Sequence, residues 1–542
     1  MQRKTPFQPD IGFLRTGFAM TPAPFSPKCY VTVLSLCVAA LLGTLPASAA
    51  PLHGSADASA SNMVVHAKRL DDILARSMTD PAVPAYVPAI NTPAGVPAPP
   101  STNSANSNTP QPYLFSLHTK PVMSAGKYLA RNGVYITGWS VSEYSGVPAG
   151  GVKHGSFFNN FAGLGVDLDM QRIAHIPGAK IHFLADDVAG NGRAGGFTGS
   201  NWGFVSYYGN HNGFQVREFT WDQALFNNRL FIMAGRSMPK GGEFDGSDLY
   251  CMFPSFLCSV PTTLTVNGSM PSFVTSSWGA RFLYKPTEKT YIKTGIWEAE
   301  PWLKAGNHNS WPGPDWGFDK AQGEYIPTEA GYRTNFTNDR YPRAYSIGFV
   351  YDTASYSDPL YNNRGQSRAL YGGTAMNRRG RTQLYLQAQQ MIWKPEEKGT
   401  RGLILFGAAN LMTSGNATIR DGFVAGVFDW GPFASRPRDY IGLVGQTFVW
   451  DHRFVQGMND TLSAHGHSAR WAKQETMAEI NYGFNIAPGV MFTPYFEYIW
   501  NPDQLGRKNI IPNLNTAVQA GAMLNIQFSP AFGLPTLHRT RS

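Results

Sequence analysis

The feature that most limits the fold of this chain is a two-residue alternation of apolar and polar side chains, repeated along most of its length. In Leu164-Gly165-Val166-Asp167-Leu168-Asp169-Met170-Gln171 one face is Leu, Val, Leu, Met and the other Gly, Asp, Asp, Gln, the period of a β-strand with one apolar and one polar side. Thr476, Ala478, Ile480, Tyr482 and Phe484 alternate with Glu475, Met477, Glu479, Asn481 and Gly483. Val518, Ala520, Ala522, Leu524, Ile526 and Phe528 alternate with Gln519, Gly521, Met523, Asn525 and Gln527, and Leu384, Leu386 and Ala388 with Gln383, Tyr385, Gln387 and Gln389. Residues 229–236 and 402–410 are apolar on both faces and give no orientation.

About sixteen alternating or β-rich segments run from Val134 to Phe528, beginning near 134, 162, 179, 213, 229, 278, 290, 326, 343, 381, 402, 421, 440, 475, 490 and 516. Their connectors alternate in length. Ile176-Pro177-Gly178, Asn227-Asn228, Pro286-Thr287-Glu288 and Ala487-Pro488-Gly489 are short, whereas 242–277, 300–325, 353–380 and 453–473 are long. A soluble sandwich does not need this rhythm, but an outer-membrane barrel has short periplasmic turns, long outer loops and an apolar face toward lipid. Closure of the sheet also gives every backbone N–H and C=O a partner where lipid offers none. The expected fold is therefore all-β, a transmembrane antiparallel β-barrel of about 16 strands. Composition agrees: only 15% of residues are charged, 13% are aromatic, 56 are glycine, and the mean hydropathy is −0.24. A bundle of transmembrane helices is excluded, since each span needs about 20 mostly apolar residues. Tyr498, Trp500, Phe448, Trp450, Trp297 and Trp302 fall near segment ends, where interfacial girdles are expected, and any one of them equally suits core packing.

Residues 1–49 read as a signal peptide, with the apolar run Val31 to Leu45 followed by the small-residue site Pro46-Ala47-Ser48-Ala49. Its removal leaves 41 basic against 35 acidic residues, a net charge of +6 in place of +9. That mild excess gives no reason to expect a nucleic-acid partner. Residues 50–124 form a Pro/Ala/Ser-rich periplasmic extension, disordered or partly helical, with a short helix expected near 64–78 from Val65, Leu70, Ile73 and Leu74. The barrel is expected over 125–528, and a basic tail over 529–542. The mature chain keeps Cys251 and Cys258, close enough to staple one loop in an oxidising compartment. As a redox or metal pair they lack C-x-x-C spacing and partner ligands.

The stretch Trp430-Gly431-Pro432-Phe433-Ala434-Ser435-Arg436-Pro437-Arg438-Asp439-Tyr440-Ile441-Gly442 resembles the carbohydrate-selective porins of the OprB family. Leu164 to Gln171 with Ile176-Pro177-Gly178-Ala179, Tyr351-Asp352-Thr353, Gln389-Gln390-Met391-Ile392-Trp393 and Tyr498-Ile499-Trp500-Asn501-Pro502 follow in the family's order. The resemblance covers roughly 125–528 and implies a barrel narrowed by inward loops and lined by charged and aromatic residues. It also implies a loop disulfide at Cys251 and Cys258. Gln519-x-Gly521-x-x-Leu524-x-Ile526-x-Phe528 is similar to the C-terminal signal read by the barrel assembly machinery, although here the chain continues past it.

The implied function is passive diffusion of mono- and oligosaccharides through a water-filled barrel in the Gram-negative outer membrane. A pore needs no catalytic residue and no cofactor; it needs a lining that exchanges hydrogen bonds with sugar hydroxyls without holding them. Strand parity offers Asp167, Asp169, Gln383, Tyr385, Gln387, Glu475, Glu479 and Glu497 as inward candidates. The resemblance adds Arg217, Glu218, Trp221 and Arg236, in strands whose counterparts approach the constriction, although the parity of 213–222 is ambiguous. The other class of reading is a secreted β-rich carbohydrate-binding protein or hydrolase, against which the lipid-facing alternation of Val518 to Phe528 stands. Asp167 and Asp169 share one strand face without ligand partners, which suits a lumen wall better than a metal or glycosidase site. His465-Gly466-His467 falls in an outer loop, and no nucleophile elbow, P-loop, dinucleotide fingerprint or zincin motif occurs. Outward aromatic positions serve lipid and subunit contacts equally, so monomer and homo-oligomer both stay open.

Overall fold

The computed structural model describes residues 113–190, 194–200, 213–239, 276–300, 316–397, 399–468, 470–504 and 513–537, with shorter stretches at 244, 247–256, 264, 267–269 and 511. The expected signal peptide, the helix near 64–78 and Trp302 lie outside these residues. The described chain builds a closed barrel of sixteen strands: β1 (Val134–Gly150), β2 (Gly155–Asp169), β3 (Ala179–Gly190), β4 (Gly213–Leu225), β5 (Leu230–Ser237), β6 (Ser277–Tyr284), β7 (Thr290–Glu298) and β8 (Glu324–Arg333), then β9 (Arg343–Asn362), β10 (Ala375–Trp393), β11 (Gly402–Ser414), β12 (Ile419–Trp430), β13 (Tyr440–Trp450), β14 (Gln474–Ala487), β15 (Val490–Trp500) and β16 (Thr516–Gln527). Every neighbour in sequence pairs antiparallel, and β1 closes on β16 with Ser142 opposite Leu524. No helix among the described residues is long and apolar enough to cross a membrane.

Alternation decides which way each strand faces. On β2 Leu164 is exposed on the outer wall while Asp167 is buried inside; on β10 Leu386 is exposed and Gln383 and Tyr385 are buried. Ile347, Phe349 and Tyr351 on β9 and Leu443 and Ile480 on β13 and β14 continue the apolar outer belt. Tyr284, Tyr345 and Trp393 mark its short-turn end, and Trp500 and Phe214 its long-loop end. The girdle expectation is corrected at three positions. Phe448 and Trp450 turn inward and pack with Phe454 of helix α3 (His452–Ala464), and Trp297 is fully buried beside Phe244, its indole N–H donating to Ser237 at 3.1 Å.

The segment after β5 folds into the lumen and makes two apolar bodies there. Leu249, Tyr250, Met252 and Phe253 pack against Ile404 and Phe406 of β11, Phe428 of β12 and Tyr440 of β13. Phe244 and Leu264 pack against Met233 of β5, Trp297, Tyr325 and Tyr385. These contacts explain why β5 and β11 are apolar on both faces: one face belongs to the apolar outer wall and the other meets the inserted segment. At the opposite end, helix α1 (Lys120–Arg131), with Pro121 in its first turn, precedes β1, and helix α4 (Phe528–Phe532) follows β16. His118 Nε2 lies 2.9 Å from Pro530 O, so residues just before α1 touch the chain just past the last strand.

Candidate functional site

Three polar groups line the lumen wall. On β2, β3 and β4, His182 sits between two carboxylates, Nδ1 2.5 Å from Asp167 Oδ1 and Nε2 3.2 Å from Glu218 Oε2. Beside it Arg217 Nε lies 2.9 Å from Asp186 Oδ2, and Gln215 donates to Asp186 Oδ1 at 2.9 Å. The Arg217 guanidinium also faces the rings of Trp139 and Phe161, 5.1 and 5.3 Å from their centroids. A guanidinium held by a carboxylate at its edge and by aromatic rings at its face is fixed in orientation.

The second group spans β7 to β10. Glu329 is buried and accepts from Tyr291 at 2.7 Å and Tyr385 at 2.6 Å, while Lys293 Nζ lies 3.0 Å away. Arg381 Nη2 pairs with Asp352 at 3.1 Å, and Asp352 accepts from the backbone N–H and hydroxyl of Ser269 in the inserted segment. Gln383 and Gln389 are buried on the same inner face, with Gln387 half-buried between them.

The third group is acidic. Glu143 of β1 accepts from Ser145 at 2.5 Å and from Tyr495. Glu475 of β14 accepts from Ser200 and from the Asp503 N–H, both at 2.6 Å, and Glu479 from the Ser255 N–H at 3.0 Å and from Asn481 at 2.6 Å. Glu497 of β15 lies directly opposite Glu479, fully buried, and neither of its oxygens has a hydrogen-bond partner among the described residues. The wall thus has an acidic side on β14, β15 and β1, and cations Arg217, Lys293 and Arg381 distributed over β4 to β10. Such a lining offers donors and acceptors in fixed places, with tyrosine and tryptophan rings between them.

Two candidates from sequence are placed elsewhere. Trp221 is on the outer wall, 38% exposed, opposite Ala234. The cause is a bulge: Leu184 pairs with Glu218 but Ala185 with Val216, so Arg217 is an extra residue and parity changes along β4. Arg217 and Glu218 therefore both face inward. Asp169 ends β2, accepts from the Gln171 N–H as cap of the short helix α2 (Met170–Ala174), and pairs with Arg172 at 3.2 Å. Arg236 is fully buried, donating to Ser276 O at 2.8 Å with its guanidinium 5.1 Å from the Trp316 ring. Cys251 is disulfide-bonded; Cys258 lies outside the described residues.

Sequence reading missed Glu143, His182, Asp186, Lys293, Glu329, Asp352 and Arg381. Ile292 and Ile296 on the outer face of β7 are a parity signal for Lys293, and Ile347 and Phe349 are one for Asp352. For Glu143 the signal is weaker, since its outward neighbours on β1 are Ser142 and the exposed Tyr144. The turn between β12 and β13, which carried the resemblance, is structural: buried Asp439 binds Arg436, accepts from Tyr482 at 2.9 Å and from the Asn485 N–H at 3.0 Å. Tyr440 beside it donates to Met252 O of the inserted segment at 2.9 Å.

The model of the carbohydrate-selective porin, OprB family matches residues 160–528. Porin B of Pseudomonas aeruginosa is 25% identical over 371 residues, covering 65% of this chain and 78% of its own. The high-pH structure of Pseudomonas putida OprB matches with a TM-score of 0.65 at 20% identity, over 74% of this chain and 96% of that one, a likeness of fold. With the family model spanning well over half of the residues, and a closed sixteen-strand barrel to carry it, the chain belongs to the carbohydrate-selective porin family, OprB.

Proposed function

We propose that this barrel passes sugars by diffusion across the outer membrane, along the part of its lumen that the inserted segment leaves open. The observation that carries the proposal is the inner wall itself. Apart from Glu497, the charged groups described on it are paired with one another or held by hydroxyls and backbone N–H groups, and they alternate with aromatic rings, so the wall presents fixed hydrogen-bonding positions to a neutral, hydroxyl-rich solute. Arg217, Glu218, Gln383, Gln387, Glu475 and Glu497 are the side chains assigned to that path, while Tyr385 and Glu479, which touch the inserted segment, are assigned to holding it.

Export through the N-terminal signal segment, insertion by the barrel assembly machinery and an outer belt in contact with lipid complete the reading. A secreted soluble binding protein is disfavoured by the same outer belt, where Leu443, Ile480, Ile347 and Phe349 stand exposed. The test is reconstitution of the full chain. In liposomes it is expected to permit swelling by mono- and oligosaccharides, and in planar bilayers added sugar is expected to reduce ion current. A correctly folded, heat-modifiable preparation that gives neither response would sink the proposal.

A further inference from the structure

We propose that the outer mouth carries a carbohydrate-binding subsite, separate from the lumen wall, in the cleft between the β13–β14 and β15–β16 loops. The inference rests on the sugar-porin reading and adds to it a place where hydroxyl-rich solutes dwell before entry. Trp471, Arg470, Asn501, Gln504, Asn513 and Asn515 line the cleft, which stands open to solvent.

The cleft is firmly built. Trp471 is held by an edge contact with Phe454, ring centroids 6.5 Å apart, and by its backbone N–H donating to Asn459 at 2.7 Å. The Gln504 amide clamps its own loop, donating to Ile511 O at 3.0 Å and accepting from the Ile511 N–H at 2.8 Å. Asn501, Gln504 and Asn513 all have left-handed backbone, with φ of 52°, 49° and 63°, conformations that persist where surrounding contacts impose them.

What the fold does not use is the informative part. The side chains of Asn501, Asn513, Asn515 and Arg470, and the Trp471 indole N–H, make no hydrogen bond among the described residues. Each asparagine amide carries both a donor and an acceptor, which matches hydroxyls that play both roles, and a guanidinium fork spans two adjacent oxygens. Among the described residues that line the cleft none is a carboxylate, and the polar groups are amides, one guanidinium and the Trp471 indole N–H. The chemistry points to neutral saccharides bound weakly enough to be released into the barrel.

The probes are glucose and maltotriose, offered to the full chain in detergent micelles and read by saturation-transfer NMR. Wild-type protein is expected to give saturable transfer. Replacing two amides together, Asn513→Ala with Asn515→Ala, is expected to raise the half-saturation concentration about tenfold, the effect of losing a few hydrogen bonds. Arg470→Gln tests the opposite wall and is expected to shift it in the same direction. No transfer in the wild type, or an unchanged half-saturation in both variants, overturns the subsite. Liposome swelling with the same proteins separates this from the porin reading: swelling without saturable transfer overturns the subsite alone, whereas transfer that depends on the two amides without swelling upholds the subsite and overturns the channel.

Discussion

Lys293 and Glu329 meet on neighbouring strands with Tyr291 and Tyr385 donating to the carboxylate, so each charge depends on the others to remain buried. Removing one partner of such a pair costs about 3–5 kcal/mol, because the remaining charge is left uncompensated. Glu329→Gln is therefore expected to lower the unfolding free energy read from urea titration in detergent by that amount, and Lys293→Met added to it to recover most of the loss; a single variant as stable as wild type would show that the pair does not hold the wall. Tyr385 lies across Gly348 of β9, where any Cβ would collide with its ring. Asp339, in the turn between β8 and β9, gives the pH dependence at this scale. Burial raises its pKa, but hydrogen bonds from the Tyr341 N–H, Arg343 and Thr334 outweigh that and hold it below the ordinary value. A depressed carboxylate stabilises the fold above its unfolded pKa of about 3.9, and the gain disappears as pH falls through the lower folded value. The heat-modification temperature of Asp339→Asn should lie below wild type at pH 5 and converge with it in more acid solution; a gap that stays constant with pH argues against this assignment.

Among the elements, β4 shows how one inserted residue changes function. Without the bulge at Arg217, strict alternation would put Arg217 or Glu218 against lipid, where a basic side chain near midplane costs about 2–4 kcal/mol. Deleting Val216 restores regular pairing and is expected to abolish the folded, heat-modifiable form; normal folding of the deletion variant would mean that the bulge is dispensable. The inserted segment is the second such element. Phe253 is fully buried against Phe406 and Phe428, with centroids 5.4 and 6.1 Å away. Phe253→Ala removes about 3–5 kcal/mol of local packing, so the segment should leave the wall more often. Single-channel conductance is expected to rise and the difference in swelling rate between glucose and maltotriose to shrink, and unchanged currents would show that Phe253 does not hold the narrowing in place.

For the barrel as a whole, the described residues that flank it on either side meet at the seam where β1 closes on β16. Ser529 and Ala531 of α4 are buried, Ala531 packs with Ala487 and Val490, and His118 contacts Pro530. Truncation after Phe528 should lower the heat-modification temperature while swelling persists; an unaltered temperature would assign the tail no part in closure. Sequence by itself determined the barrel, because lipid outside and water inside impose a two-residue period on every strand that meets both. Asp167, Gln383, Glu475, Glu479 and Glu497 were legible as inward for that reason. Trp221 was not, since a bulge shifts parity without changing composition, and Asp169 was not, since a strand's last residue is free to cap the helix that follows. β5 and β11 could not be oriented because their inner faces meet protein instead of water. Only the tertiary structure decided which charges meet across strands, which aromatic rings turn inward, and how much of the lumen the segment after β5 fills. Those outcomes depend on contacts between residues up to several hundred positions apart, such as Glu143 with Tyr495, and no local period encodes them.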